Sequence, residues 1–296
     1  MNKAMLGIYP SPAGHWVGDG FPVRSLFSYD TLGTLISPFL LLDYAAPTVF
    51  PPAMRARGVG AHPHRGFETV TIVYQGGLAH RDSAGNSGVI GPGDVQWMTA
   101  AAGVMHDEFH SPAFVQRGGA LEMAQLWVNL PAAHKMSKPR YQSLLNADIP
   151  EIALGSGGGS VRVIAGNYRD VAGPAVTCSA LNVWDVRLRA GHESTFSWPE
   201  EHNAAIAVLR GAVSANGSRE AKDAELVLFD RTGSEVRIAA AADSTLLLLG
   251  GALIPEPIVG YGPFVMNSRQ EIETALNDLR MGKFGHLPPS QAQGAA

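Results

Sequence analysis

Residues 67–77 read FETVTIVYQGG, and this construction constrains the chain more than any other feature. Its β-branched and aromatic residues suit a pleated, half-buried ribbon, and the closing Gly-Gly supplies a turn. Similar runs return at VRVIAG (161–166), VTCSALNVWDVRLRAG (176–191), NAAIAVLRGAVSANG (203–217), AELVLFD (224–230), SEVRIAA (234–240) and STLLLLGG (244–251). Short strands at this spacing fold as antiparallel sandwiches or barrels, so the expected class is all-β. The 34 glycines and 20 prolines are spread along the chain, as many separate turns require. With 46% hydrophobic and 16% charged residues, the chain can fill a sizeable core and has little material for long disordered tracts.

A length of 296 residues allows one large or two ordinary domains. The strand pattern lapses in PAAHKMSKPRYQSLLNADIP (131–150), which carries Pro131, Pro139 and Pro150. The expected division is a first domain over 1–135, a linker over 136–150 and a second domain over 151–296. The two halves read as distant copies in pattern: TIVYQGGLAHRDSAGNSG in the first, IAVLRGAVSANGSRE in the second. The tail changes character. Ser268 and Glu271 fit a capping box, and Ile272, Ala275, Leu276 and Leu279 recur with helical spacing up to Gly282. One short C-terminal helix is expected there, with the last ten residues or so loose.

Net charge is −4, and there is no block of Lys and Arg, so the chain lacks the electrostatic footprint of a nucleic-acid or anionic-membrane binder. A lone cysteine, Cys178, excludes both an intrachain disulfide and a cysteine-based metal site. The N-terminus lacks a signal-peptide pattern, and the longest apolar runs, such as Leu246–Leu249, fall far short of the roughly 20 residues that span a bilayer. A soluble, cytoplasmic protein is the expectation.

The chemistry concentrates in two stretches. In AHPHRGFE, His62 and His64 lie two apart and share a face if the segment is extended. Glu68 keeps that parity but lies about 20 Å from His62 along a straight strand, too far to join them on one ion. In GVMHDEFH, His106, Glu108 and His110 are again two apart. If the two strands are neighbours, His62, His64, His106 and Glu108 can converge. Asp107 then points to the opposite side. A lone strand histidine is ordinarily structural, but two such pairs in one β-rich half point to a metal. Three imidazoles and a carboxylate suit Fe(II), Mn(II), Ni(II), Cu(II) or Zn(II) rather than calcium, and leave two open positions on an octahedral ion. His110, followed by Ser111-Pro112, is expected at the surface or a pocket rim. His80, His134, His192 and His202 read as ordinary residues.

HPHRGFETVT, HRDSAGNSGVIGPGDVQWMTA, LWVNLPAAHKMSKPRYQ and the tail segments GPFVMNS and GKFG resemble the pirin family of the cupin superfamily. The resemblance covers most of the first half and returns near the C-terminus. It implies two tandem cupin domains, the first holding one iron through His62, His64, His106 and Glu108. The general cupin pattern would instead use Glu68; pirins take the glutamate two residues past the last histidine, which leaves Glu68 a supporting role. The second half has no H-x-H pair and is expected to be metal-free, closing the edge or mouth of the first.

The resemblance also implies activity. Several pirins are assigned as quercetin 2,3-dioxygenases, which open a flavonol ring with O2 and release carbon monoxide. A metal-dependent enzyme of that kind is expected, with Glu108 (or Glu68) as the base that takes the hydroxyl proton. Fe(II) is the expected metal, with Mn, Ni, Cu, Co or Zn as alternatives. The expected partners are a flavonol-like aromatic substrate and O2, with the chain a monomer. The alternative reading is an iron-binding regulator that contacts protein partners in a redox-sensitive way. Phe67, Trp97, Met98, Met105 and Met123 are candidate pocket residues, or else plain core.

Overall fold

The computed structural model describes residues 1–287. The tail expected to be loose lies almost wholly outside the described residues. Both halves are built alike, each from one seven-stranded and one four-stranded sheet in which every pairing is antiparallel. Neither half closes into a barrel; each is an open sandwich.

In the first half the large sheet runs, in spatial order, through Arg140–Leu144, Val95–Thr99, Phe67–Gln75, Gly119–Asn129, Phe39–Phe50, Phe21–Ser28 and His15–Val17. Its small sheet is Gly58–His64, Val104–His110, Leu78–Asp82 and Ser87–Ile90. In the second half the central large-sheet strands are Asn203–Arg210, Ser244–Gly251 and Leu181–Leu188.

The two large sheets pack against each other. Val70, Ile72, Val95, Trp97, Leu126 and Val128 of the first half share one buried cluster with Val183, Ala205, Ala207, Leu226, Leu247 and Leu249 of the second. Each large sheet is therefore covered on both faces, by the other half and by its own small sheet. That explains the run LLLL. Leu247 and Leu249 enter the contact between halves, whereas Leu246 and Leu248 enter the interior of the second sandwich. A strand covered on both sides loses the polar alternation of a half-exposed one. Each such leucine contributes about 1.5–3 kcal/mol on burial.

Both ends of the chain cross to the opposite half. Met5–Pro10 pairs with Glu225–Phe229 on the edge of the second large sheet. Arg140–Leu144, within the stretch read as a linker, extends the first large sheet by pairing with Val95–Thr99. The C-terminal hairpin, Val259–Tyr261 with Phe264–Met266, and the helix Arg269–Arg280 return to the first half. There Arg65 exchanges backbone bonds with Pro263 and Val265, and its guanidinium pairs with Asp278 at 2.9 Å. The helix begins as its capping box implies: Ser268 Oγ accepts from Glu271 N–H at 3.3 Å, and Glu271 Oε2 accepts from Asn267 N–H at 2.9 Å. Ile272 and Ala275 pack with Phe264, Met266 and Phe284, with Met105 beside them. Among the described residues, no helix is long and apolar enough to cross a membrane.

Candidate metal centre

The strand Gly58–His64 stops at a sharp turn. Gly66 has φ of +88°, and a Cβ there would lie 2.0 Å from the Val265 carbonyl oxygen, so glycine is required on two counts. The turn moves the chain from the small sheet to the large one. His62 and His64 therefore belong to one sheet, and Glu68 to the other.

Cross-strand register then assembles the inner face of the small sheet. His106 lies opposite His62 on one side and Asp82 on the other. A bulge follows between His106 and Glu108, and Glu108 lies opposite His80. Directly opposed residues of an antiparallel pair share a face. The rings of His62, His64 and His106 meet with centroids 4.1–4.8 Å apart.

Their nitrogens identify the binding point. His62 Nδ1 is engaged by the Gly60 carbonyl at 2.8 Å, which leaves Nε2 free. His64 Nδ1 and His106 Nε2 are buried without a partner. A buried polar atom left unpaired costs about 1–3 kcal/mol, and two converging on one point with a third donor nearby fit a metal ion. Burial first, and then the neighbouring imidazoles, hold His64 and His106 well below the ordinary histidine range; for His64 the Pro263 carbonyl opposes the shift. Both rings are thus in the neutral form that ligates.

The ligand atoms fall into two triads that share His106: His62, His64 and His106, and His80, His106 and Glu108, each within 4.8 Å of one another. All four residues of the sequence reading do not meet that distance together. Glu108 hangs over a polar row that crosses the large sheet, where register aligns Ser25, Asp43, Gln125, Thr71 and Gln96. Its Oε1 accepts from Gln96 Nε2 at 2.6 Å and Thr71 Oγ1 at 3.1 Å, and its Oε2 from Gln125 Nε2 at 3.4 Å. Glu108 nonetheless lines the same cavity as His62 and His64, a space of about 300 Å³. The walls are mostly apolar, with Phe21, Val23, Met123 and Trp127, and Asp43 is a second carboxyl. Burial raises the Asp43 carboxyl above its usual range, against the hydrogen bond from Ser25 at 2.5 Å. A cleft of about 350 Å³ beside Glu200 and Asp230 contains none of these histidines.

Several sequence expectations change here. Glu68 lies with Val70 and Ile72 on the face turned to the second half, where Thr99 Oγ1 donates to it at 2.6 Å and Arg140 stands 4.0 Å away; it does not reach the cavity. Burial pushes its carboxyl up. His110 is not at the surface: it is 3% exposed, bonds the Gly20 carbonyl at 3.0 Å and packs among Phe21, Phe50 and Phe114. Asp107 does point away, paired with Arg81 at 2.6 Å. Of the five candidate pocket residues, Met123 lines the cavity; Trp97 belongs to the contact between halves, and Met105 packs beneath the C-terminal helix. His80, read as ordinary, is 4% exposed and lies against His106. Its signal was available in the alternation of LAHRD, where His80 and Asp82 share the inward parity.

Comparison with known proteins adds a family. The Pirin model matches residues 20–128, and the model of the Pirin C-terminal cupin domain matches residues 183–285. A Pseudomonas aeruginosa protein that carries the provisional name quercetin 2,3-dioxygenase is 57% identical over 95% of this chain and 98% of its own length. A pirin-like protein of Solanum lycopersicum is 39% identical over 90% of this chain and 88% of its own. The crystal structure of an Acinetobacter baumannii quercetin 2,3-dioxygenase superposes with a TM-score of 0.95 at 53% identity, covering 97% of this chain and 100% of that one.

Proposed function

The chain belongs to the pirin family, and on that footing we propose that it is a metal-dependent dioxygenase that opens the ring of a flavonol such as quercetin with O2. The observation that carries this reading is the pair of unpartnered buried nitrogens, His64 Nδ1 and His106 Nε2, beside a free His62 nitrogen and within reach of an apolar-walled cavity. A volume of about 300 Å³ is at the small end for a ligand pocket and suits one compact aromatic molecule. The names borne by the Pseudomonas and Acinetobacter relatives support the choice of substrate.

His62, His64 and His106 would hold the ion, with Fe(II) the metal proposed and Glu108 as fourth ligand. When bound, the metal supplies Lewis acidity to a phenolic hydroxyl and a path for electrons between the flavonol and O2. The remaining work falls to side chains of this chain. Phe21, Val23, Met123 and Trp127 take the faces of the aromatic rings and exclude water. Gln125 and Asp43 present a donor and an acceptor to the outer hydroxyls. Glu108 is fixed by Gln96 and Thr71 through Oε1, while Oε2, with only the long contact to Gln125, retains capacity to accept the 3-hydroxyl proton.

Aerobic and anaerobic assays on iron-loaded protein test the reading. O2-dependent loss of flavonol absorbance with release of carbon monoxide is expected, together with loss of bound iron in His62→Ala and Glu108→Ala. Iron-loaded protein that leaves the flavonol intact in air refutes the activity.

A further inference from the structure

We propose that Asp82 and His80 form a relay behind His106 that fixes its tautomer and strengthens it as a metal donor. The proposal rests on the reading of His106 as a ligand.

The three side chains are almost fully buried, at 2%, 4% and 0% exposed. His80 Nε2 is 3.4 Å from Asp82 Oδ2, and His80 Nδ1 is 3.4 Å from His106 Nδ1. His106 Nε2 is buried without a partner, and His106 belongs to the triad with His62 and His64. With His106 ligating through Nε2, one proton assignment satisfies every contact. A carboxylate only accepts, so His80 must carry its proton on Nε2. Its Nδ1 is then a lone pair, and His106 must donate through Nδ1–H. That leaves the His106 Nε2 lone pair free for the metal. Ligating histidines commonly donate their second nitrogen to a carboxylate or carbonyl. Here a second imidazole lies in between and transmits the charge of the carboxylate.

Both ends of the relay are held. Asp82 Oδ1 accepts from the backbone N–H of Ala84 and of Asn86 at 2.9 and 3.0 Å, and Oδ2 from Asn86 Nδ2 at 2.9 Å. Tyr141 stacks on the His80 ring, centroids 5.0 Å apart and planes 11° from parallel. The turn DSAGN thus does more than reverse the chain: it aims a carboxylate at the support of the site. This also separates the two triads. Within the triad of His80, His106 and Glu108, both His80 nitrogens and His106 Nδ1 are taken up by the relay and Glu108 Oε1 by Gln96 and Thr71, whereas His64 Nδ1 and His106 Nε2 of the other triad are unpartnered.

Two measurements test the relay. In metal-free protein labelled with 15N-histidine, ring nitrogen shifts are expected to show His106 protonated on Nδ1 and His80 on Nε2; His106 protonated on Nε2 would overturn the proposal. Fe(II) affinity, measured anaerobically by chelator competition, is expected to fall about 10–100-fold in His80→Leu. His80→Gln, whose carbonyl can still accept from His106 Nδ1, is expected to recover most of that loss. Folded His80→Leu that binds Fe(II) within twofold of the parent overturns the relay alone. A parent protein that takes up no Fe(II) overturns the metal reading and the relay with it. Should His80→Leu fail to fold, the tautomers of the parent protein decide.

Discussion

Replacing Lys135 by Met should destabilise the protein, and by an amount that grows with pH. Lys135 is 1% exposed, and its Nζ donates to the Gly66 carbonyl at 2.7 Å, Asn129 Oδ1 at 2.6 Å and the Val265 carbonyl at 2.9 Å. It therefore ties the returning C-terminal strand to the turn that follows His64. Burial lowers its pKa from 10.5 to about 7, opposed by Glu256 and Glu271. Between about pH 7 and 10.5 the unfolded chain holds a proton that the native one has released, so stability rises with pH across that window. From pH 7 to pH 9 the rise amounts to about 2 kcal/mol at 1.36 kcal/mol per unit. At pH 9 the neutral amine keeps two N–H donors for its three acceptors. Methionine keeps none, so two more acceptors are left bare at about 1–3 kcal/mol each, for a total loss of roughly 2–6 kcal/mol. Urea denaturation of both proteins at pH 7, 8 and 9 measures the gap. A gap that stays constant or narrows with pH refutes the reasoning: it would mean that three acceptors at hydrogen-bond distance keep the buried ammonium charged.

Three further outcomes follow from the same geometry. Because the His64 and His106 pKa values lie below 6.5, the metal-free protein should lose stability as pH falls beneath 6.5, by at most about 1.4 kcal/mol per pH unit for each ring; thermal melts from pH 7.5 to 5 check this, and added Fe(II) should suppress the loss. Gln96→Leu removes the 2.6 Å donor to Glu108 and should weaken Fe(II) binding about tenfold while retaining a cooperative thermal transition, as read by metal competition and circular dichroism. A fragment spanning residues 11–150 should not fold alone, because Val70, Ile72, Val95 and Trp97 would be exposed as one apolar face; a monomeric fragment with cooperative unfolding would contradict this.

Much of the site was legible because strand parity is strict. His62, His64, His106 and Glu108 all face inward as their spacing implies, and Asp107 lies on the other side of the small sheet, buried against Arg81. What parity cannot supply is which of two covered faces a residue meets. In an ordinary half-exposed sheet, hydrophobicity marks the inner side. Here both sides of the large sheet are buried, so Trp97 and Met123 look equally like pocket residues in the sequence, yet one joins the contact between halves and the other the cavity. Glu68 was ambiguous for the same reason. His80 reads as ordinary in sequence: its neighbour at i+2 is an aspartate rather than a histidine, and its meaning depends on register with His106 across a separate strand. The strand ends at His110 as Pro112 signals, but a strand end can still lie under a cage of phenylalanines.

The two halves share one frame and differ in what fills it. The second interior is packed by Trp184, Phe196, Trp198 and the aliphatic residues around them. The corresponding space of the first is filled in part by Phe21, Val73, Leu78, Phe114 and Met123, and beside them holds histidines, Glu108 and the row Asp43, Gln125, Thr71 and Gln96. Such a row adds little net stability, since its hydrogen bonds replace those to water. To the apolar cluster inside its own sandwich the first half adds a second burial on the outer face of its large sheet, against Leu247, Leu249 and Val183 of the second half. The crossing termini reinforce that dependence: the first strand of the chain completes the second half, while the last strand and helix brace the residues next to His64. The second half is thus a counterweight rather than a lid. It covers the back of the sheet whose front carries the chemistry, and so allows a small sandwich to keep a ligand-sized cavity in which a polar row meets apolar walls.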